Sequence, residues 1–154
     1  WKPIFGVLHA PVNRTTWFGG VDVQATKVTA AETSEISVKK QTSTQPRLVA
    51  SGSHRAERDE KFARELGDHE LVRMGSSLKA CVVAEGSADL YPRFGPTSCW
   101  DIAAAHAVVE AAGGIVLSPQ CKPLVYDLVD EVLNPYCLVT CSSKWNDIWA
   151  QNQD

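Results

Sequence analysis

From residue 47 onward, segments with the apolar pattern of β-strands alternate with helix-like segments. In order, the sequence predicts a strand at 47–51, a helix at 57–66, a strand at 70–74, a helix at 77–86, a strand at 88–91, a helix at 99–112, strands at 115–118 and 136–141, and a helix at 143–151. Such alternation is typical of βαβ units, in which helices cover the faces of a sheet. It restricts this part of the chain to the α/β class.

The predicted helix at 99–112 consists mainly of alanine and valine, with Asp101, His106 and Glu110 as its polar residues. A helix that is apolar on nearly all sides is buried and packs closely through its small side chains. The glycine pair 113–114 follows directly, as expected where a helix ends. We therefore expect this helix in the interior of the fold.

The first part of the chain follows a different pattern. Residues 3–10 and 15–19 are apolar or β-branched, and the turn-forming sequence between them, 11–14, predicts a hairpin. Residues 30–45 are polar and rich in threonine and serine, with one short strand candidate at 36–38. This polar stretch marks the expected internal boundary.

Composition argues against several function classes. At 154 residues the chain is long enough for one domain with its own core, and a formal net charge of -3 gives no reason to expect a nucleic acid polymer as partner. The longest apolar stretches, such as 103–112, fall short of the roughly 18 residues that a membrane span needs. Five cysteines without a Cys-x-x-Cys pair indicate neither a disulfide framework nor a zinc site, and favour a reducing cytoplasm.

The segment 71–79 could bind an anion. It predicts a strand, Gly75, two hydroxyl residues and a helix start, where free backbone N–H groups and the hydroxyls of Ser76 and Ser77 favour negative charge. Lys79 falls in the first helical turn, where the helix dipole disfavours a cation and a bound phosphate would relieve the conflict. The alternative, which spacing alone favours, is that Ser76 caps the helix and Lys79 is solvated.

Asp101 also has two interpretations. Ser98 as the N-cap residue and Asp101 at the third helical position would form a capping box, which spacing alone favours. The carboxylate could equally face Mg²⁺ beside a phosphate, because this ion prefers oxygen ligands and commonly takes one or two carboxylates together with substrate oxygens. One aspartate does not make a metal site.

Two further basic residues follow predicted strands. Arg93 lies in a stiff connection between Pro92 and Pro96, where a fixed guanidinium could bind a phosphate through two hydrogen bonds; a surface position is an equal alternative. His54 follows the strand at 47–51, and ligands often bind beyond the ends of strands in α/β sheets, although sequence alone favours a solvated loop histidine. The residues that would together form a pocket for a phosphorylated ligand are His54, Ser76, Lys79 and Arg93.

Several stretches resemble the inositol monophosphatase superfamily of Mg²⁺-dependent phosphatases, most closely its 3'(2'),5'-bisphosphate nucleotidases. The stretches that carry the resemblance are Gly-Ser-Ser-Leu-Lys at 75–79, Val-Ala-Glu-Gly at 83–86, Tyr-Pro-Arg-Phe-Gly-Pro at 91–96 and Trp-Asp-x-Ala-Ala at 100–104, with shorter ones at 6–7, 10–12, 122–124 and 133–135. The resemblance implies an α/β fold, the C-terminal half of the layered αβαβα sugar-phosphatase fold, with a mixed sheet flanked by helices. Residues 1–42 would be strands remaining from an N-terminal antiparallel-sheet domain, and residues 43–154 an α/β substrate-binding domain.

The resemblance also implies a reaction, hydrolysis of the 3'-phosphate of adenosine 3',5'-bisphosphate to AMP and phosphate, a step of sulfate assimilation. Mg²⁺ ions would activate water and clamp the phosphoryl oxygens. By this resemblance Asp101 is a metal ligand. The residues that match substrate-binding positions are His54, Ser76, Ser77, Lys79 and Arg93. The alternatives are a non-catalytic phosphonucleotide-binding or oligomerising module, and an inositol monophosphatase-like enzyme.

The sequence departs from the family in ways that affect activity. The family's glutamate pair and its Asp-Pro-x-Asp-Gly-Thr element, which carry most metal ligands, do not occur, and the chain begins at Trp1 within strand-like sequence. We therefore expect a fragment that is inactive alone. Ala105 replaces the usual glycine, which could alter helix packing. The strands at 3–10 and 15–19 would lack sheet neighbours, so we expect a homodimer or aggregation through them, in the cytoplasm or at the inner face of a bacterial inner membrane.

Overall fold

We describe a computed structural model of the chain, which covers residues 1–40, 44–50, 57–127 and 131–153. Its elements lie in four layers: an antiparallel sheet, a first pair of helices, a mixed sheet and a second pair of helices. The α/β class and the mixed sheet flanked by helices, both expected from the sequence, are confirmed. Within these residues no helix is long and apolar enough to cross a membrane.

The antiparallel sheet has four strands in chain order: β1 (Phe5–Ala10), β2 (Thr15–Gly20), β3 (Val23–Val28) and β4 (Thr33–Glu35). The predicted hairpin is β1 and β2, which pair in antiparallel register. The strand candidate at 36–38 is wrong, because β4 ends before it.

The apolar residues of that candidate segment are core residues that follow the strand. Ile36 and Val38 are buried. Their backbone N–H groups donate to Ala25 O at 2.9 Å and to Ala112 O at 3.0 Å. The segment thus joins β3 to the end of a helix without belonging to a sheet.

The mixed sheet has five strands: β5 (Arg47–Ala50), β6 (Glu70–Arg73), β7 (Leu90–Arg93), β8 (Ile115–Leu117) and β9 (Cys137–Thr140). Their spatial order is β6-β5-β7-β9-β8. β5 runs parallel to β6 and β7, as βαβ units require, whereas β9 runs antiparallel to β7 and β8.

Four helices complete the layers: α1 (Glu57–Leu66), α2 (Leu78–Ala84), α3 (Cys99–Ala111) and α4 (Asn146–Gln151), the last preceded by a 3₁₀ turn at Ser143–Trp145. α2 and α3 pack between the two sheets, and α1 and α4 pack on the other face of the mixed sheet. Every predicted helix is present, although α2 is shorter than the predicted 77–86.

Alternating side chains of the mixed sheet separate two apolar cores, because successive residues of a strand point to opposite faces. The side chains that face α2 and α3 are Val49, Tyr91, Val116, Cys137 and Val139. Those that face α1 and α4 are Leu48, Leu90, Leu117 and Leu138. A strand covered on both faces needs apolar residues throughout, which explains the continuous apolar runs in this half of the sequence.

The interior position of α3 depends on a close approach to β1. A Cβ atom at Gly6 would overlap the carbonyl oxygen of Ala104 in α3, so a residue without a side chain is required there. At its other end α3 is followed by Gly113 in the left-handed region (φ 84°), as helix ends often are. β1 therefore supports the first half of α3, whose start forms part of the site described next.

Candidate functional site

A cavity of about 270 Å³ lies where α2 and α3 begin beside the end of β7. It is lined by Ser76, Ser77, Lys79, Tyr91, Arg93, Thr97, Trp100, Asp101 and Ile102. The structure thus brings together five of the six site residues expected from the sequence. The sixth, His54, lies outside the described residues.

The start of α2 differs from a simple capped helix. Ser76 has a left-handed backbone (φ 55°), and the helix begins two residues later at Leu78. Ser77 occupies the cap position, but its hydroxyl makes no capping hydrogen bond. The interpretation of Ser76 as the helix cap is therefore wrong, and both serines line the cavity.

Lys79 is buried, with only 6% of its surface exposed, so the alternative of a solvated lysine is also wrong. Its Nζ donates to Ser76 O at 3.3 Å and lies 5.6 Å from the centre of the Tyr91 ring. Burial lowers the pKa of Lys79, the neighbouring Arg93 lowers it further, and Asp59 acts in the opposite direction. A bound anion would favour the charged form of this amine.

Arg93 ends β7, and the described residues leave part of its guanidinium without a hydrogen-bond partner. Its Nη2 donates to Pro96 O at 3.3 Å. Its Nε is buried and finds no hydrogen-bond partner among the described residues. Since a buried, unpaired donor costs free energy, and more so on a charged group, this N–H favours an acceptor brought by a ligand. A phosphate oxygen is the acceptor that suits a guanidinium.

Tyr91 lines the cavity beside both cations, with its ring centre 5.6 Å from Lys79 Nζ and its hydroxyl under the influence of Arg93. It is buried, and burial raises the pKa of its hydroxyl to about 12, against the opposing effect of Arg93. The phenol is therefore neutral at physiological pH. The sequence reasoning missed Tyr91, although its position two residues before Arg93 in one strand places both side chains on the same face of the sheet.

Asp101 lies in the first turn of α3 with one carboxylate oxygen already engaged. The backbone N–H of Ser98 donates to Oδ2 at 2.8 Å, which confirms the capping box. The side chain is exposed and also lines the cavity. The two interpretations of Asp101 are thus compatible, because a carboxylate can cap a helix and face a ligand.

The described residues of the cavity do not form a complete magnesium site. Asp101 is the one carboxylate in the cavity lining, and no group of three or more His, Cys, Asp or Glu residues within 1–40, 44–50, 57–127 and 131–153 could hold a metal ion. Mg²⁺ demands about six oxygen ligands in octahedral geometry. These residues by themselves fit an anion rather than a cation.

Residues 1–148 match the family model of the inositol monophosphatase family. The chain belongs to the inositol monophosphatase family. Its layered arrangement agrees with that of solved family members, for example an inositol monophosphatase from Zymomonas mobilis, with a TM-score of 0.76 at 18% identity over 98% of this chain and 57% of the other. At that identity the likeness concerns the fold alone.

More similar family members are bisphosphate nucleotidases. The 3'(2'),5'-bisphosphate nucleotidase CysQ of Escherichia coli K12 is 43% identical over 134 residues, which is 87% of this chain and 53% of that protein. The CysQ of Salmonella typhimurium is 42% identical over 139 residues, 90% of this chain and 55% of that protein. The crystal structure of CysQ from Bacteroides thetaiotaomicron has a TM-score of 0.80 and 32% identity, over 92% of this chain and 59% of the other. This family member spans about half the length of these relatives.

Proposed function

We propose that this inositol monophosphatase family member binds a phosphorylated adenosine nucleotide in the cavity and supplies the substrate-binding part of a 3'(2'),5'-bisphosphate nucleotidase. The observation that carries the proposal is the buried Nε of Arg93, which is unpaired within the described part of the chain, in a cavity that also contains the buried Lys79. The similarity to proteins named as bisphosphate nucleotidases supports the nucleotide as ligand.

The cavity chemistry favours a phosphate ester over a neutral ligand. Arg93 and Lys79 supply two positive charges, and the serines at the start of α2 supply hydroxyl donors. Together they can offset the charge of a phosphate group while its oxygens accept several charge-assisted hydrogen bonds. We expect His54 to contact the base, as the family resemblance implies, and residues 43–154 to form the substrate-binding domain beside the strands of 1–42.

Binding can be tested without turnover. We expect adenosine 3',5'-bisphosphate to bind the purified chain in isothermal titration calorimetry. Arg93→Lys should weaken this binding roughly ten-fold, because an ammonium group cannot form the bidentate contact of a guanidinium with a phosphate. Arg64→Lys, on the exposed surface of α1, is the matched control and should bind like the wild type. Absence of saturable binding would contradict the proposal, and tighter binding of an inositol phosphate would favour the inositol monophosphatase-like alternative.

Turnover is a separate question, because Mg²⁺, when bound, would activate water and clamp the phosphoryl oxygens. Asp101 alone is too few ligands for that ion, so we propose that the chain by itself binds the nucleotide without hydrolysing it. Phosphate release should stay at background when Mg²⁺ and the bisphosphate are added. Lithium-sensitive release would overturn this expectation and would mean that other residues, including those of a second copy, complete the metal site.

We also propose that two copies of the chain associate through β1. Within the described residues β1 has a neighbouring strand on one side only, and Phe5 and Val7 on its outer face are 50% and 52% exposed. An unpaired strand edge with apolar side chains favours pairing with a second copy. Light scattering at micromolar concentration should give twice the mass of one chain. For Val7→Lys it should give the mass of a single chain. A wild-type chain of single mass would contradict the proposal. We also propose a cytoplasmic location, because the five cysteines are free thiols, as is usual in a reducing compartment.

A further inference from the structure

We propose that the hydroxyl of Thr97 donates a hydrogen bond to the anionic group of the ligand in the cavity, and that Asn134 sets the direction of this hydroxyl. The inference rests on the proposed function, because it concerns the same cavity. It assigns a role to the Leu-Asn-Pro stretch at 133–135, which lies outside the cavity lining.

Thr97 is a buried polar residue in the short connection between β7 and α3. It is 7% exposed and lines the cavity together with Arg93 and Asp101. Burying a hydroxyl is costly unless its hydrogen-bonding groups are satisfied. The partners of this hydroxyl therefore show which of its groups remains for a ligand.

Asn134 fixes the role of the Thr97 oxygen. Its Nδ2 donates to Ser98 O at 2.8 Å and to Thr97 Oγ1 at 3.2 Å. A backbone carbonyl can only accept, so the amide group that contacts it must be the NH₂ end of the asparagine. That end has no acceptor, so Thr97 Oγ1 must be the acceptor in the second contact.

The Thr97 hydroxyl then keeps its hydrogen for another partner. A hydroxyl has one donor and two acceptor sites, and among the described residues the hydrogen bonds of Oγ1 consist of the one from Asn134. Because the side chain lines a cavity that also contains two cations, an anionic oxygen is the acceptor that completes it. The same cavity would be less suited to a ligand that brings donors only.

The loop that carries Thr97 is held against the segment of Asn134 by backbone contacts as well. The N–H of Asn134 donates to Thr97 O at 2.8 Å, and the N–H of Cys99 donates to Val132 O at 2.9 Å. Ser98 and Leu133 form an antiparallel bridge between them. The asparagine side chain therefore meets Thr97 in a fixed geometry, which is what a positioning residue requires.

The first test compares Thr97→Val with Thr97→Ser by calorimetry, using adenosine 3',5'-bisphosphate and inorganic phosphate as probes. Valine has the shape of threonine without the hydroxyl, and serine keeps the hydroxyl. We expect Thr97→Val to weaken both probes roughly ten- to hundred-fold, the effect of losing a hydrogen bond to a charged group, and Thr97→Ser to stay within a few-fold of the wild type. Melting curves check that all variants are folded at the temperature of measurement.

The second test addresses Asn134. In Asn134→Asp the new carboxylate can only accept, so Thr97 would turn its hydrogen toward residue 134 and away from the cavity. We expect Asn134→Asp to weaken the binding of both probes. The loss of affinity should be clearly smaller when the same change is made in the Thr97→Val background. A loss that is equal in both backgrounds would reflect the added negative charge alone and would overturn the positioning role.

The two probes separate this inference from the proposed function. Suppose that the bisphosphate binds the wild type. If Thr97→Val then binds it equally tightly, or if Thr97→Ser loses as much affinity as Thr97→Val, the inference on Thr97 is wrong and the proposed function stands. If inorganic phosphate binds in a Thr97-dependent manner but the nucleotide binds no more tightly than inorganic phosphate, the inference stands and the nucleotide function is wrong. If neither probe binds the wild type, both are wrong.

Discussion

The two sheets of this molecule are covered differently. The mixed sheet has helices on both faces, and all four residues of β9 are buried. The antiparallel sheet has α3 on one face, and in the described structure β1 alternates between exposed and buried residues. Yet the outward positions of β1 include Phe5 and Val7, the same kinds of residue that fill the cores. Apolar character in a strand therefore indicates that a face can be covered, while the neighbouring layers decide whether it is covered.

The largest expected difference between the two sheets concerns a phenylalanine in each region. Phe62 of α1 is fully buried against the mixed sheet, with its ring 5.9 Å from that of Phe94 and 6.3 Å from that of Trp149, whereas Phe5 is half exposed. We expect Phe62→Ala to lower the free energy of unfolding by about 3–5 kcal/mol, since it leaves a cavity. Phe5→Ala should cost about 1 kcal/mol or less, because most exposed substitutions have small effects.

Urea denaturation of the two variants measures this difference. A loss of several kcal/mol in Phe5→Ala would mean that the outer face of β1 is covered in solution, which pairing of two β1 edges does not require, and the contrast between the sheets would then disappear. A small loss in Phe62→Ala would show that the layer of α1 and α4 is loosely packed.

A smaller effect is expected where the antiparallel sheet meets α3. Gly6→Ala would place a methyl group against the backbone carbonyl of Ala104, which cannot move without shifting α3. We expect a cost of about 1–3 kcal/mol, as for other overpacked sites. Gly75→Ala is the control, because no atom of the described residues lies within 4 Å of a Cβ built there. Equal melting temperatures for the two variants would show that β1 and α3 are not in firm contact.

The smallest effect concerns His106, which is buried in α3 between the layers. Its Nδ1 lies 3.0 Å from the Tyr126 hydroxyl and its Nε2 lies 3.2 Å from Glu110 Oε1, and Lys2 Nζ lies 3.6 Å from the same carboxylate oxygen. Burial lowers the pKa of His106, partly opposed by Glu110. The unfolded chain, with a histidine pKa of about 6.5, therefore binds the proton more readily than the folded chain.

It follows that the free energy of unfolding should fall as the pH drops from about 7 through 6.5 and further toward the pKa of His106 in the folded chain. His106→Gln should lose this part of the acid sensitivity, which a series of urea denaturations between about pH 7 and pH 5 would measure. His9→Gln, on the exposed outer side of β1, is the control for loss of a histidine. Acid sensitivity that is unchanged in His106→Gln would show that other groups cause it.

Much of the fold could be predicted because its elements are strongly patterned. The α1 and α3 helices and the β1–β2 hairpin were predictable from apolar periodicity and from the turn sequence between the strands. The sequence 23–28 is half polar and gives no such signal, so β3 was missed, and β4 was displaced from the candidate at 36–38. β3 depends on its pairing with β2, and β4 on its pairing with β3, more than on their own composition.

The candidate site was predictable in part. Ser76, Ser77, Lys79, Arg93 and Asp101 could be chosen because each follows a predicted strand or begins a predicted helix. Thr97 and Asn134 carry no such signal, because their contact joins residues 37 positions apart. Side-chain contacts over such separations depend on how the layers pack, which local patterns do not specify.

The sequence by itself determined the alternation of strands and helices from β5 onward, and the ends of α1 and α3 to within one residue, because local periodicity and chain-reversing residues act over a few neighbouring positions. Tertiary structure decided which apolar faces are covered, that Lys79 is buried, and that Arg93 Nε has no partner among the residues the structure describes. Burial and hydrogen-bond satisfaction are properties of the surroundings of a side chain. In this molecule those surroundings come from layers far apart in the sequence, which pack around the starts of α2 and α3.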